Sequence, residues 1–254
     1  MYSQFRWTSG SRTDAGLVRP INEDACLDQP ERGLWAVADG MGGHMVGDFA
    51  SRMAVEALSN VQPPRSLEEF VAATEARLQT VNQQLRAEAA TRNVARIGST
   101  VVVLLACERY CAYLWAGDSR IYLFRRGRLT LLSRDHSVLE ELKSRGAVPS
   151  DSGIRRVAHS RITRAVGAVD ELDLDGDLVE VEDGDVFLLC SDGLSNELSE
   201  QEITDALLPG NCRQASEALV EAALRAGGND NISAVVVRAE DLDSGDRTLF
   251  NPAV

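Results

Sequence analysis

The sequence lacks the features that mark secreted and membrane-spanning proteins. It has five cysteines, an odd number, and none of them forms a C-x-x-C pair. Several of these thiols lie in apolar runs, where cysteine behaves as a small hydrophobic residue, so no disulfide framework is expected. Residues 1–16 contain no apolar signal-peptide core, and no apolar run approaches the roughly 20 residues of a membrane-spanning helix. We therefore expect a soluble cytoplasmic protein without a membrane partner.

Positive charge is also scarce. Lysine and arginine number 26 against 39 aspartates and glutamates, which gives a formal net charge of -13. Such a surface repels nucleic acids and anionic lipids, and neither is expected as a partner. The acidic excess either serves solubility or gathers carboxylates around cations, and composition alone leaves both interpretations open. The length of 254 residues suits one large domain or two small ones.

Hydrophobic periodicity predicts helices that are separated by groups of strands. The clearest helix begins after Ser66, which can form a capping box with Glu69, and its apolar stripe continues to about Asn93. Other helices are predicted over 49–61, 136–146, 199–208 and 212–226. The polar residues 147–170 are expected to form a surface excursion.

Short apolar runs bounded by turn residues predict the strands. They are expected at 5–17, 24–38, 99–107, 110–118, 119–127, 128–135, 177–193 and 231–240. The four consecutive runs between 99 and 135 are joined by loops too short for parallel crossovers, so we predict one antiparallel meander. A further strand pair is expected around Asp183-Gly184. This grouping indicates an α+β fold in which two antiparallel sheets pack face to face and are covered by helices.

Acidic residues recur where the apolar strands end. They are Glu23, Asp24, Asp39, Asp118 and Asp192 at strand edges, and Asp230 before the last strand. Any one Asp-Gly pair is more simply explained as a turn. The repeated arrangement nevertheless favours a shared role, because carboxylates brought together repel each other unless a cation neutralises them. Mg²⁺ and Mn²⁺ prefer such oxygen ligands, and a glycine beside a ligand lets its own carbonyl turn to the ion.

An ordered set of motifs extends over about residues 8–239. The stretches are RPINEDA, VADGMGGH, GST, AGDSRIY, DHS, ITRAVG, LLCSDGL and GGNDNIS. In this order they resemble the metal-dependent protein phosphatases of the protein phosphatase 2C-like family, most closely its bacterial single-domain members. The resemblance implies a four-layer α-β-β-α sandwich. It also implies a catalytic domain over 1–240, with a flap subdomain over about 135–170 and a polar tail over 241–254.

The same resemblance implies a metal centre with two core ions, Mn²⁺ or Mg²⁺, and a third ion. By motif position its residues are Glu23, Asp24, Asp39, Gly40, Asp118, Asp192 and Asp230. The first two match an acidic pair that acts mostly through metal-bound water, and the last two match ligands of one core ion. Asp39 matches the acid that bridges two metals, and Gly40 matches a residue that offers its backbone carbonyl. Asp118, together with Asp192, matches the site of the third ion.

The implied activity is hydrolysis of phosphoserine and phosphothreonine by direct attack of a hydroxide that bridges two metals. Arg19 matches the arginine that holds the substrate phosphate, and with Asp39 it completes the implied catalytic set. Implied partners are phosphorylated proteins and a bacterial Ser/Thr kinase of Hanks type, and a monomer is expected. Two alternatives stay open: a catalytically inactive scaffold of the same fold, and an enzyme that acts on small phosphoesters.

Some residues depart from the family pattern. Met41 stands where eukaryotic relatives carry a histidine that is proposed to protonate the leaving alcohol. His44 lies three residues later and is more simply structural, and His136 is expected to make a fold or flap contact rather than to bind a metal. The flap is basic, and its charges either belong to a solvated loop or attract phosphoproteins. They are Lys143, Arg145, Arg155, Arg156, Arg161 and Arg164.

Overall fold

The computed structural model describes residues 4–42, 46–62, 65–208 and 210–242. Its strands, in chain order, are β1 (Phe5–Asp14), β2 (Asp24–Gln29), β3 (Leu34–Met41), β4 (Gly98–Ser99), β5 (Val101–Cys107), β6 (Tyr110–Ala116), β7 (Arg120–Arg125), β8 (Arg128–Leu131), β9 (Asp175–Glu180), β10 (Val186–Cys190) and β11 (Ile232–Asp241). Its helices are α1 (Gly47–Ser59), α2 (Leu67–Thr91), α3 (Val138–Ser144), α4 (Ser152–His159), α5 (Asp192–Ser195), α6 (Glu200–Leu207) and α7 (Cys212–Ala226). Among these described helices, none combines the length and apolar character that a membrane span requires.

Helix α2 shows how the local sequence sets its boundaries. The Ser66 side chain accepts a hydrogen bond from the Glu69 backbone N–H at 3.2 Å, which confirms the predicted cap. The Glu69 carboxylate, however, accepts from the backbone N–H of Arg65 rather than that of Ser66, so the expected capping box is not closed. The predicted apolar stripe is buried, as Phe70 and Leu78 show, and the helix ends two residues before Asn93.

The strands form two antiparallel sheets. Over the described residues, sheet A has the order β1-β11-β10-β7-β8, and sheet B has the order β2-β3-β5-β6-β9, with β4 beside β3. Strand β11, the last of the described strands, lies inside sheet A between β1 and β10. Its ten-residue register with β1 runs from Phe5 opposite Asp241 to Asp14 opposite Ile232. The first and last strands are therefore neighbours.

Alternation along the strands creates separate hydrophobic cores. In β3, Trp35 and Val37 pack between the two sheets with Phe187 of β10, whereas Leu34 and Ala36 face helices α1 and α2. The opposite faces of β10 and β11 pack against α6 and α7. A two-residue period lets each buried strand serve two cores at once. The result is the predicted four-layer sandwich, with helices, sheet B, sheet A and helices in succession.

The predicted antiparallel meander is wrong in its middle. Strand β6 pairs with β5 and β9 in sheet B, whereas β7 pairs with β8 and β10 in sheet A. Residues 117–119 thus carry the chain from one sheet to the other. The strand pair expected around Asp183-Gly184 is separated in the same way, since β9 belongs to sheet B and β10 to sheet A. A short loop can join stacked sheets as well as hairpin strands, and periodicity does not distinguish the two.

The flap contains more regular structure than its polar sequence predicts. Helix α3 is present and ends before Gly146, which has a φ of 67°. Helix α4 was not predicted and lies within the expected surface excursion. The end of the flap returns to the core, where Val166 is fully buried and pairs with Ser99. Most described residues of 147–170 are exposed or half-buried, as expected of a surface excursion, whereas Ala158, Ala165, Val166 and Gly167 are buried. Of the proposed tail 241–254, only residues 241 and 242 lie among the described residues.

Candidate active site

Two carboxylates face each other at the ends of neighbouring strands. Asp24 at the start of β2 is the register partner of Asp39 near the end of β3. Directly opposite residues of an antiparallel pair have Cβ atoms roughly 5 Å apart, so the two acids are held close by the backbone. Asp24 is 7% exposed, although acids of this kind are seldom buried without a partner.

Asp24 has one oxygen that is bonded and one that is not. The Ser191 hydroxyl donates to Asp24 Oδ2 at 2.7 Å. Within the described part of the chain, Asp24 Oδ1 is buried and has no hydrogen-bond partner. A buried oxygen of this kind is costly unless something satisfies it. It fits a site that takes a cation or a cation-bound water.

The backbone of Asp39 is fixed by the GST motif. The Asp39 N–H donates to Thr100 Oγ1 at 3.0 Å, and the Thr100 N–H donates to the Asp39 carbonyl at 2.8 Å. The Ser99 hydroxyl donates to the same carbonyl at 3.0 Å. Thr100 also shares a hydrogen bond with the Ser119 hydroxyl at 2.7 Å, which ties β3 to the crossover that carries Asp118. The motif thus positions two of the acids, a role that its sequence alone did not reveal.

The glycines that follow Asp39 permit close backbone approach. A Cβ atom at Gly40 would overlap the carbonyl oxygen of Gly47, and one at Gly47 would overlap the Glu23 carboxylate. Glu23 instead accepts a hydrogen bond from the Gly47 N–H at 3.2 Å, and its carbonyl accepts from the Gly40 N–H at 3.0 Å. Side chains at these glycines would push Glu23 away from Asp39.

Burial and mutual repulsion raise the pKa values of the acids. Burial raises the pKa of Asp39 well above its usual value, and the charges of other carboxylates raise it further. These neighbours are Asp24, Asp192, Asp118 and Asp230. Burial likewise raises the pKa of Asp24 and of Asp118 to about 7 in each case. Five predicted metal residues therefore share one electrostatic environment.

The fourth acid, Asp192, begins the short helix α5 directly after β10. Burial raises its pKa, and the charge of Asp230 adds to that effect, while hydrogen bonds with Asp39 and Asn196 oppose it. Among the described residues, no three His, Cys, Asp or Glu side chains form a compact ligand group. The carboxylates are thus near enough to interact electrostatically, but in the described residues no three of them converge at metal-ligand distance.

Arg19 and Asp230 lie at the exposed mouth of the cluster. Arg19 Nε donates to Asp230 Oδ1 and Nη2 donates to Oδ2, both at 2.8 Å. These bonds raise the pKa of the Arg19 guanidinium. The predicted phosphate-binding residue and a predicted metal residue are therefore partners.

Asn231 is a site residue that the sequence analysis missed. Its Oδ1 accepts from the Glu23 N–H at 2.8 Å. Its Nδ2 donates to the carbonyls of Ala15 and Ile21 at 2.9 Å each. One amide side chain thus fastens both ends of the loop that carries Arg19. The only sequence signal was its place after Asp230 in GGNDNIS.

His136 makes a fold contact, as predicted. The Gly117 N–H donates to His136 Nδ1 at 3.2 Å, which leaves the proton on Nε2, 3.2 Å from Asp175 Oδ2. Burial lowers the pKa of His136, and its ring stacks on Trp115. This histidine joins the flap to the sheet crossover. His44 lies outside the described residues.

Comparisons with known proteins identify relatives of this chain. The family model for protein phosphatase 2C matches residues 18–227. The serine/threonine protein phosphatase PstP of Mycobacterium tuberculosis is 33% identical over 236 residues, which cover 92% of this chain and 45% of that protein. The chain thus spans about half the length of this relative.

Two solved structures share the fold. PppA, a key regulatory component of T6SS in Pseudomonas aeruginosa, is 42% identical with a TM-score of 0.85, and the match covers 92% of this chain and 97% of that one. The catalytic domain of the phosphatase PstP, in complex with 2 manganese ions, is 32% identical with a TM-score of 0.83, and the match covers 93% and 100%.

Proposed function

Because the chain belongs to the protein phosphatase 2C family, we propose that it is a metal-dependent protein serine/threonine phosphatase that hydrolyses phosphoserine and phosphothreonine. The observation that carries the proposal is the convergence of Asp24, Asp39, Asp118, Asp192 and Asp230 in one electrostatic environment beside Arg19. Buried carboxylates that repel one another suit divalent cations, and an arginine beside them suits an anionic substrate.

The donor set fits two core ions and a third, either Mn²⁺ or Mg²⁺. We assign the core ions to Asp39, the Gly40 carbonyl, Asp192 and Asp230, with Glu23 and Asp24 acting through water and Asp118 serving the third ion. The unpartnered Asp24 Oδ1 and the hard oxygen donors support this assignment, as does the manganese in the PstP catalytic domain. When bound, such ions lower the pKa of water and offset charge on phosphoryl oxygens.

Arg19 orients the substrate in this proposal. Its Nε and Nη2 already donate in parallel to the two oxygens of a carboxylate, and a phosphate presents oxygens in a similar arrangement. The loop that carries Arg19 is anchored by Asn231, so the guanidinium is held at the mouth of the cluster. Arg19 therefore binds the phosphate group and holds it towards Asp39.

A nucleophilic role does not suit Cys26 or Cys190, the two cysteines that lie two residues from Asp24 and Asp192. Burial raises the pKa of Cys26 and of Cys190 to about 12, so both remain protonated thiols at neutral pH. A thiol has to lose its proton before it attacks phosphorus. The described cysteines are free, which supports a reducing compartment, and we place the protein in the cytoplasm on that basis.

The proposed substrates imply a partner. A phosphorylated serine or threonine exists only where a kinase has acted, so the phosphatase works against a Ser/Thr kinase, for which we propose the Hanks type. All of the proposed site residues come from one chain, and we propose a monomer.

Phosphate release from p-nitrophenyl phosphate, with Mn²⁺ or with EDTA, tests the enzyme proposal. Turnover that depends on Mn²⁺ is expected, and its absence would support the inactive-scaffold alternative. Rates on phosphothreonine peptides and on small phosphoesters then separate the remaining alternatives. A higher kcat/KM on the peptides is expected, and a preference for small esters would overturn the assignment to protein substrates.

A further inference from the structure

A basic cavity lies beside the carboxylate cluster. It has a volume of about 270 Å³ and is bounded by Met41, Arg96 and the flap segment 161–165, with Ala168. Met41 follows Gly40 at the end of β3, and Arg96 lies on the loop between α2 and β4. The flap and the sheet thus enclose a space that none of the residues assigned to the metal centre lines.

The cavity is adjacent to the centre and on the same side of strand β3. Side chains at positions i and i+2 of a strand share a face, so Met41 projects to the same side as Asp39. Their Cα atoms are separated by two strand residues, or roughly 7 Å. An extended peptide spans a similar distance in two residues. A substrate whose phosphoserine reaches Asp39 is therefore long enough to place a neighbouring residue at this cavity.

Three arginines supply the charge of the cavity, and they differ in their partners. Arg164 Nη1 pairs with Asp175 Oδ1 at 2.6 Å and with Asp173 Oδ2 at 3.0 Å. Arg96 and Arg161 have no carboxylate within 4 Å among the described residues. Two uncompensated guanidinium groups in a chain of net charge -13 form a local site for anions.

Two other basic residues of the flap, Lys143 and Arg145, are paired with carboxylates. Lys143 pairs with Glu140, and Arg145 Nη2 lies 3.9 Å from Glu141 Oε2. Both are surface ion pairs, in which the positive charge is already balanced by a carboxylate, so they contribute little to the attraction of an anionic substrate. Lys143 and Arg145 thus belong to the solvated surface, whereas Arg96 and Arg161 supply uncompensated positive charge at the cavity.

We propose that the cavity is a subsite for a second anionic group of the substrate, located within about two residues of the phosphorylated serine or threonine. The group is a carboxylate of Asp or Glu or a second phosphate, since both present oxygens to a guanidinium. The volume is sufficient for one such group and smaller than that of most small-molecule pockets. Arg96 and Arg161 bind the anion, and Met41 separates it from the metal centre. This inference rests on the proposed phosphatase activity.

The test uses phosphothreonine peptides of equal length that differ only in their flanks. One has neutral flanks, one has aspartate two residues from the phosphothreonine on either side, and one has phosphoserine at those positions. The full chain should favour the anionic peptides by about three- to fivefold in kcat/KM, the size of effect expected for ion pairs with exposed arginines such as Arg96 and Arg161. The aspartate and phosphoserine peptides identify which anion is preferred.

The double variant Arg96→Gln/Arg161→Gln should bring the ratio of anionic to neutral peptide close to one. Arg145→Gln is the matched control, because it removes a positive charge from the same flap outside the cavity, and it should keep the ratio of the unmodified protein. Equal kcat/KM values of the unmodified protein on all peptides would overturn the subsite, as would an equal loss in Arg145→Gln. Absence of any Mn²⁺-dependent turnover of p-nitrophenyl phosphate would instead refute the phosphatase proposal itself.

Discussion

Arg19 and Asp230 form a two-bond ion pair across the mouth of the carboxylate cluster, with both N···O distances at 2.8 Å. The guanidinium proposed to hold phosphate therefore occupies both oxygens of a carboxylate proposed to hold a metal. A cation that binds Asp230 has to share the carboxylate with Arg19 or displace the guanidinium. Metal binding and the availability of Arg19 for the substrate are thus linked.

This linkage predicts opposite effects of Arg19→Gln on metal and on substrate. Loss of the guanidinium removes a competing positive charge from Asp230, so calorimetry should show Mn²⁺ bound about three- to tenfold more tightly. The kcat/KM on a phosphothreonine peptide should fall by at least about a hundredfold, because bidentate phosphate binding is lost. Arg12→Gln, which removes an exposed partner of Glu221, is the control. Weaker Mn²⁺ binding in Arg19→Gln would contradict the competition.

Asp39→Asn should separate activity from folding. The charges of four other carboxylates raise the pKa of Asp39, so neutralising this residue relieves repulsion in the metal-free protein. The Tm in EDTA should rise by about 2–4 °C, the shift that 1 kcal/mol produces in a domain of this size. Turnover should be nearly abolished. Asp205→Asn on the exposed face of α6 is the matched control, and activity retained in Asp39→Asn would remove this residue from the centre.

Asp118→Asn should affect one metal and not the others. Asp118 lies on the sheet crossover, apart from the Asp24–Asp39 strand pair, and burial raises its pKa to about 7. Calorimetry should retain the two tight Mn²⁺ sites while a weaker one is lost, and turnover should slow. Loss of both tight sites would show that Asp118 belongs to the core pair.

The metal-free protein should become less stable as the pH rises from 5 to 8. The pKa of Asp24 and of Asp118 is about 7 in the folded protein, against an ordinary value of 3.8. The folded state therefore holds these protons more tightly than the unfolded chain does. The resulting stabilisation is complete below the unfolded pKa and is lost as the pH rises through about 7. Melting in EDTA across this range checks the sign.

Asp24→Asn supplies the control for the pH series. Its amide keeps an oxygen that can accept from Ser191 but carries no titrating proton. The slope of Tm against pH should become shallower in this variant. A Tm that rises with pH in the unmodified metal-free protein would contradict the shifted carboxyls.

The acidic residues of the candidate site could be located from the sequence, whereas the residues that hold them in place by hydrogen bonds could not. Asp39 and Asp192 could be located because apolar runs end beside them, and runs of this kind mark buried strands. The role of Asn231 could not be inferred, because one of its partners, the carbonyl of Ile21, lies 210 residues away in the chain. Backbone groups have no sequence signature, so such a contact depends on the tertiary structure alone.

The sheet assignments failed for a related reason. Residues 117–119 have the length and composition of a hairpin turn, and each flanking strand has the expected apolar pattern. Strands β6 and β7 do not pair with each other because each pairs with a strand that comes later in the chain. Strand β9 pairs with β6 in sheet B, and β10 pairs with β7 in sheet A. The position of Asp118 near Asp39 and Asp192 follows from that crossover. Helix α4 was missed because its stretch is only eight residues long and contains Gly153 in its first turn.

The pairing of the first and last strands makes the chain suitable for circular permutation. Phe5 and Asp241 are register partners at one end of the β1–β11 pair. Asp14 and Ile232 are partners at its other end, and only that end adjoins Asp230. A short linker can therefore join these strands without entering the cleft. New termini could open at the Arg126-Gly127 turn, where the glycine has no neighbour within 4 Å of a Cβ position. The order of the acids along the chain would change while their arrangement in space is kept.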